Sequence, residues 1–307
     1  MYLDHFDLKE FPFGITPDTS YFFSSGASQE ALNTLLIAAR TGEGFIKITG
    51  EVGTGKTLLC RKLMASLGPD FVVAYIPNPY LEPTALFLEL ASELGLDTSM
   101  LAHYQGHQQQ HLLLKALSLK LVDLTMEGRR VVVCLDEAQA MPIETLEALR
   151  LLTNLETEKN KLLQVVIFGQ PELEEKLNHP SIRQLKQRIT FDYHLGPLSH
   201  AELSYYLHHR MMVAGYRGGQ LFSATAMWLL KRKTKCIPRL INIVAHKTLL
   251  SAFGKGKQSV DIWDVLAASR DTASLRNERG IEKAAAAFLL FVLLGICVAA
   301  YGWMNRL

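Results

Sequence analysis

The residues best placed to do chemistry begin with Gly50-Glu51-Val52-Gly53-Thr54-Gly55-Lys56-Thr57, a GxxxxGK[ST] pattern. It follows the β-branched run FIKIT (45–49) and opens a helical stretch that starts with Leu58. In that setting the glycines let backbone N–H groups from Gly50 to Leu58 curl around phosphate oxygens, with the helix N-terminus adding a favourable dipole. Lys56 is expected to reach the β- and γ-phosphates, and Thr57 to offer its hydroxyl to Mg²⁺. The octapeptide therefore predicts Mg²⁺-ATP binding.

Two further positions complete the chemistry. The apolar run VVVCL (131–135) ends in Asp136-Glu137, which puts adjacent carboxylates at the C-terminal edge of a buried strand, where open α/β sheets bind ligands. Asp136 is expected to hold Mg²⁺, and Glu137 to orient or deprotonate the attacking water. A third run, LLQVVIF (162–168), ends at Gly169-Gln170-Pro171, so Gln170 emerges at the same edge with an amide able to bridge water and γ-phosphate. The letters DEAQ (136–139) resemble a helicase box, but no second recombinase-like domain lies behind them.

The elements that must position these residues are strands and helices in alternation. FIKIT, FVVAYI from Phe71, RVVVCL from Arg130, LQVVIF from Leu163 and ITFDYHL from Ile189 read as buried strands of a five-stranded parallel sheet. Helical patterns such as 82–94 and 109–126 lie between them, so the fold class is α/β, of the doubly wound kind. After Gly196-Pro197 the character changes: Ser199 and Glu202 form a helix cap, and the chain from there to about Arg270 is helical. The expected organisation is a linker and helix over 1–40, an ATPase core over 41–197, a helical lid over 198–270 and a charged linker over 271–283.

At 307 residues the chain is long for one core, and its 49% hydrophobic content asks where the excess lies. Much of it is in 284–303, AAAAFLLFVLLGICVAAYGW, uncharged and about the length needed to cross a bilayer as a helix. Arg270, Arg276, Arg279 and Lys283 precede that segment and only Arg306 lies beyond it, so the residues before it are expected to be cytoplasmic. The N-terminus lacks the features of a signal peptide. Cys60, Cys134, Cys236 and Cys297 are scattered and point to neither zinc nor a disulfide framework. A net charge of +2 gives no global pull toward nucleic acid.

In order along the chain, FPFGITPDTSYFF, GEVGTGKT, CLDEAQ, FGQPEL, LKQRI and IPRLINIVAHK resemble the AAA+ ATPases, and more narrowly the ExeA/GspA-type ATPases of secretion and type IV pilus systems, over 1–270. Within that group TGEGFIKITGEVGTGKTLLCRKL, AYIPNPYLEP and EALRLLTNLETEKNKLLQVVIFGQPEL are most similar to the branch serving mannose-sensitive haemagglutinin (MSHA) pili. The resemblance implies a P-loop AAA+ core, a homo-oligomeric ring and inner-membrane pilus or secretion machinery as partners. It makes Gln170 sensor 1, Arg188 the arginine finger donated to a neighbouring subunit with Arg183 in reserve, and Arg239 sensor 2. It also implies that 11–18 pack against adenine. Larger ExeA-type proteins continue into a peptidoglycan-binding domain; this chain stops four residues after Trp303, so cell-wall binding is not expected.

Two other clusters carry less. His103, His107 and His111 fall four apart, but Gly106 and the glutamine run favour a loop or helix entry over a metal site. Lys231, Arg232, Lys233 and Lys235 could meet phosphates of DNA or anionic lipid, but read more readily as a solvated face of the lid. The sequence leaves three functional hypotheses: a membrane-anchored AAA+ ATPase of pilus or secretion biogenesis, a DNA-dependent ATPase of transposition-accessory type, and a nucleotide-gated assembly scaffold with little turnover.

Overall fold

The computed structural model describes residues 2–99, 106–156 and 161–273. The described chain forms two compact units, Thr16–Glu202 and Met1–Ile15 together with the chain from Leu203.

The first unit is an α/β domain. Its strands are β1 (Phe45–Thr49), β2 (Phe71–Ile76), β3 (Arg130–Leu135), β4 (Leu163–Gly169) and β5 (Phe191–His194). They form one sheet in the order β2-β3-β4-β1-β5, with every pairing parallel. The Val- and Ile-rich central strands are covered on both faces, as a parallel sheet requires. Phe45, Val131, Val133, Leu135, Val165 and Ile167 pack with α4 (Pro83–Glu93), α5 (Gly106–Met126) and α6 (Ile143–Thr153). Ile46, Ile48, Val132, Cys134, Val166 and Phe168 face α2 (Gly26–Thr41) and α3 (Lys56–Ser66). Fully burying a Phe168 or an Ile48 is worth about 2–3 kcal/mol each.

Local chemistry sets the helix ends. Ser25 caps α2 by accepting from the Ser28 N–H, and Gly42 ends the helix at φ +85°. Pro83 starts α4, where its missing N–H costs nothing. The strand expected over 189–195 is shorter as observed, because β5 is an edge strand with alternating half-buried and exposed residues; Thr190 and Leu195 still donate to the carbonyls of Phe45 and Thr49.

The second unit is helical. It contains α1 (Tyr2–His5), nearly all of α9 (Glu202–Val213), α10 (Ala224–Thr234), α11 (Pro238–Gly254) and α12 (Ile262–Asp271), around a core that includes Leu230, Ile241, Val244, Leu249 and Val265. A capping box between Asp261 and Asp264 starts α12. The first fifteen residues belong here instead of forming one piece with 16–40. Arg210, which is 6% exposed, holds them by donating to the Pro12 carbonyl at 2.6 Å and the Gly14 carbonyl at 3.2 Å. The segment expected to lie on adenine is thus divided at Ile15, its first part tied to Arg210 and Asn242.

No described helix is long and apolar enough to cross a membrane, and 284–303 lie outside the described residues. His103 lies outside them as well; His107 and His111 fall on α5. Among the described residues no group of three or more His, Cys, Asp or Glu side chains is arranged to hold a metal.

Candidate active site

Strand pairing brings three separate parts of the sequence to one edge of the sheet. In the parallel register Thr49 of β1 lies opposite Gly169 of β4, and Leu135 of β3 opposite Ile167 of β4. The residues just beyond these strand ends, the loop from Gly50, Asp136-Glu137 and Gln170, therefore leave adjacent strands at the same C-terminal edge.

The loop is fixed at both ends. Gly50 donates its N–H to the Gly169 carbonyl at 3.2 Å, and a Cβ on Gly50 would lie 2.4 Å from the Leu195 carbonyl oxygen, so only glycine fits. Gly55 sits at φ +104°, in the left-handed region that L side chains avoid, and turns the chain into α3. Thr54 closes the turn between them by donating its hydroxyl to the Glu51 carbonyl at 3.0 Å. The first bond into α3 is Leu59 N–H to the Gly55 carbonyl at 2.9 Å, so Lys56, Thr57 and Leu58 present N–H groups with no acceptor four residues back. Glu51 and Val52 are exposed at the tip, while Gly53, Thr57 and Leu58 are half-buried.

Lys56 is 6% exposed and donates to the carbonyls of Gly50 at 2.6 Å and Glu51 at 2.9 Å. Its ammonium stays over the loop that a phosphate would occupy. Burial pulls its pKa down, against the pull of Glu137, Asp136 and Glu51. Asp136 is 3% exposed, and burial pushes its carboxyl pKa up, although the Thr57 hydroxyl and the Glu137 N–H both bond to it.

That donor set fits Mg²⁺. A buried carboxylate disfavoured by its surroundings, paired with a threonine hydroxyl, is the oxygen ligation a hard divalent cation takes, the remaining positions falling to water and phosphate. Thr57 and Asp136 would hold the ion.

Glu137 has left-handed backbone angles, φ 52° and ψ 37°, which in a non-glycine residue mark a conformation imposed by its neighbours. Its Oε2 accepts from the side-chain amides of Gln139 and, at 3.1 Å, Gln170. Sequence reasoning misses Gln139, whose one local signal is its place two positions beyond Glu137.

The two candidate arginines of this unit, Arg188 and Arg183, lie apart from the loop. Arg188 is half-buried and donates to the Thr153 carbonyl at 3.1 Å and hydroxyl at 3.2 Å. Two residues later Thr190 donates to the carbonyl of Phe45, the first residue of β1, whereas Gly50 comes after the last. Arg188 thus stands at the sheet edge opposite the loop, roughly 16 Å away along five strand residues. Arg183, first residue of α8 (Arg183–Lys186), is exposed. Arg239 is exposed in the first turn of α11, in the helical unit.

A phosphate-binding loop, two carboxylates and a polar amide at one edge of a five-stranded parallel sheet define a P-loop nucleoside triphosphatase. Residues 39–177 match the family described as AAA domain. Among solved structures the chain is similar to CDC6P from Pyrobaculum aerophilum (TM-score 0.65, 20% identity, 85% of this chain and 70% of that one). It is also similar to the ORC2 protein of Aeropyrum pernix in ADPNP-ADP complexes (TM-score 0.60, 18% identity, 84% and 72%). RuvB of Thermotoga maritima shares the fold at TM-score 0.54 and 13% identity, over 85% and 73%. Residues 39–177 are thus an AAA-type domain within the chain. The chain is similar to general secretion pathway protein A of Aeromonas hydrophila, with 39% identity over 303 residues, and spans 99% of its own length but about half, 53%, of that relative.

Proposed function

We propose that this protein couples ATP binding and hydrolysis to secretion or type IV pilus biogenesis, of the MSHA-like kind, from the cytoplasmic face of a bacterial inner membrane. The observation that carries the proposal is the convergence of Lys56, Thr57, Asp136 and Glu137 at one sheet edge in a chain 39% identical to a general secretion pathway protein. The uncharged segment 284–303 supports membrane anchoring.

In this reading Lys56 and the N–H groups of the loop bind the triphosphate, and Thr57 and Asp136 hold Mg²⁺. When bound, the ion neutralises charge on the β- and γ-phosphate oxygens. Glu137 accepts a proton from the attacking water, and Gln170 orients that water against the γ-phosphate. Arg188 cannot serve its own chain's loop from the opposite sheet edge, so it completes the site of a neighbouring copy. That makes the active form a homo-oligomeric ring of heterologous contacts. Arg239 reports nucleotide state from the helical unit.

The test is replacement of the gene by a Glu137→Gln variant in the source bacterium, with secretion and pilus assembly scored in parallel. Loss of either with normal protein levels is the expected result. Full assembly by a variant that binds but does not hydrolyse ATP would favour a nucleotide-gated scaffold. Turnover stimulated by DNA with steep salt dependence would favour a nucleic-acid ATPase.

A further inference from the structure

The short turn after Asp136-Glu137 carries a side chain whose bonds reach across to the next strand. Gln139 lies in a 3-10 turn, Ala138–Ala140, already closed by its backbone: Ala140 N–H donates to the Glu137 carbonyl at 2.8 Å and Met141 N–H to the Ala138 carbonyl at 3.2 Å. The turn does not need the Gln139 side chain. That side chain bonds instead to the two residues at the end of the hydrolytic path. Its Oε1 accepts the Gln170 backbone N–H at 2.9 Å, and its Nε2 donates to Glu137 Oε2. The Gln170 Nε2 donates to the same Oε2 at 3.1 Å, closing a ring of three residues. A backbone N–H can only donate, so the Gln139 oxygen must face Gln170 and its NH₂ must face Glu137. The ring has one consistent sense.

We propose that Gln139 is a positioning residue for ATP hydrolysis: it fixes the plane of the Glu137 carboxylate and ties it to the end of β4. Two amides on Oε2 leave Oε1 to take the proton of water. When the Gln170 amide turns toward a γ-phosphate and leaves Oε2, Gln139 still holds both Glu137 and the Gln170 backbone. The base and the phosphate-sensing amide then move as one unit. This rests on Glu137 acting as the base, as proposed above.

The experiment is steady-state ATP hydrolysis by full-length protein carrying Gln139→Met, Gln139→Glu, Gln170→Ala, the Gln139→Met/Gln170→Ala pair, or Glu137→Gln. Gln139→Met keeps the volume and removes both bonds; kcat falls about tenfold with KM for ATP within about twofold, since the Gln139 side chain bonds to Glu137 and Gln170 while the triphosphate is held by the loop and Lys56. Gln139→Glu keeps the acceptor for the Gln170 N–H but sets a carboxylate against Glu137, and kcat falls about a hundredfold. If Gln139 only braced the backbone of Gln170, Gln139→Glu would retain the wild-type kcat, and that result overturns the proposal. The paired variant loses less than the product of the single losses, because both act on one carboxylate; fully multiplicative losses overturn it. A wild-type kcat in Gln139→Met with Glu137→Gln inactive removes the positioning role and leaves the base assignment standing. An active Glu137→Gln removes both.

Discussion

Gly50 offers a sharp perturbation because its constraint comes from a distant strand end. A Cβ there would meet the Leu195 carbonyl oxygen at 2.4 Å and Thr54 Oγ1 at 3.0 Å, where ordinary contact begins at 3.4 Å. About 1 Å must be found by moving backbone. Neither side is free to move: Gly50 N–H bonds the Gly169 carbonyl at 3.2 Å, and Leu195 N–H bonds the Thr49 carbonyl at 2.7 Å. Gly50→Ala therefore shifts the phosphate loop against Asp136 and Glu137. Overpacking of this kind costs about 1–3 kcal/mol of stability, a fall of roughly 2–12 °C in Tm for a domain of this size. A misplacement of about 1 Å costs on the order of a hundredfold in turnover. Steady-state ATPase and thermal melting measure both, with Gly68→Ala as control, since a Cβ at Gly68 meets nothing within 4 Å. Gly50→Ala with kcat/KM within about threefold of wild type and an unchanged melt would mean that the Leu195 carbonyl does not constrain position 50.

Each unit also holds a buried carboxylate whose titration can be measured. Burial raises the Asp136 carboxyl pKa, so the folded apoprotein binds a proton there more tightly than the unfolded chain, and stability falls as pH rises through that raised value. Asp136→Asn should melt higher than wild type at neutral pH without nucleotide, yet lose Mg²⁺-dependent turnover; a lower melt contradicts the burial argument. In the helical unit burial opposes ionisation of Asp264, but hydrogen bonds from Lys255, the Asp261 N–H, Lys257 and Ser251 hold its pKa down to about 2. Its contribution is present above the ordinary carboxylate range and is lost as pH falls toward about 2. Asp264→Ala should cost about 2 kcal/mol by denaturant melting, less than a trapped buried charge. Lys255 and Lys257, with side chains 45% and 33% exposed, can turn to water.

The phosphate loop and the two carboxylates were legible because each is contiguous and comes directly after an apolar strand. The parallel sheet was legible for the same reason, in the β-branched runs. What sequence could not carry is adjacency created by strand pairing. Gln139 and Gln170 are 31 positions apart, and only the β3–β4 register makes them neighbours. The demand for glycine at position 50 comes from Leu195, across the β1–β5 pairing. That Arg188 lies at the sheet edge away from its own loop follows from Thr190 bonding to Phe45, at the start of β1. The grouping of residues 1–15 with the helices rests on Arg210 reaching Pro12, 198 positions earlier. No local pattern encodes such contacts; they arise from the path of the chain.

Subunit mixing asks directly whether Arg188 of one copy completes the site of another. Full-length Lys56→Ala keeps Arg188 but lacks the phosphate lysine; Arg188→Ala keeps the loop but lacks the arginine. Each alone should be nearly inactive. In an equal mixture, about a quarter of heterologous interfaces join an intact loop to an intact arginine, so hydrolysis should return to about a quarter of the wild-type rate. A mixture as inactive as its parents, or Arg188→Ala active by itself, would contradict a site completed between copies.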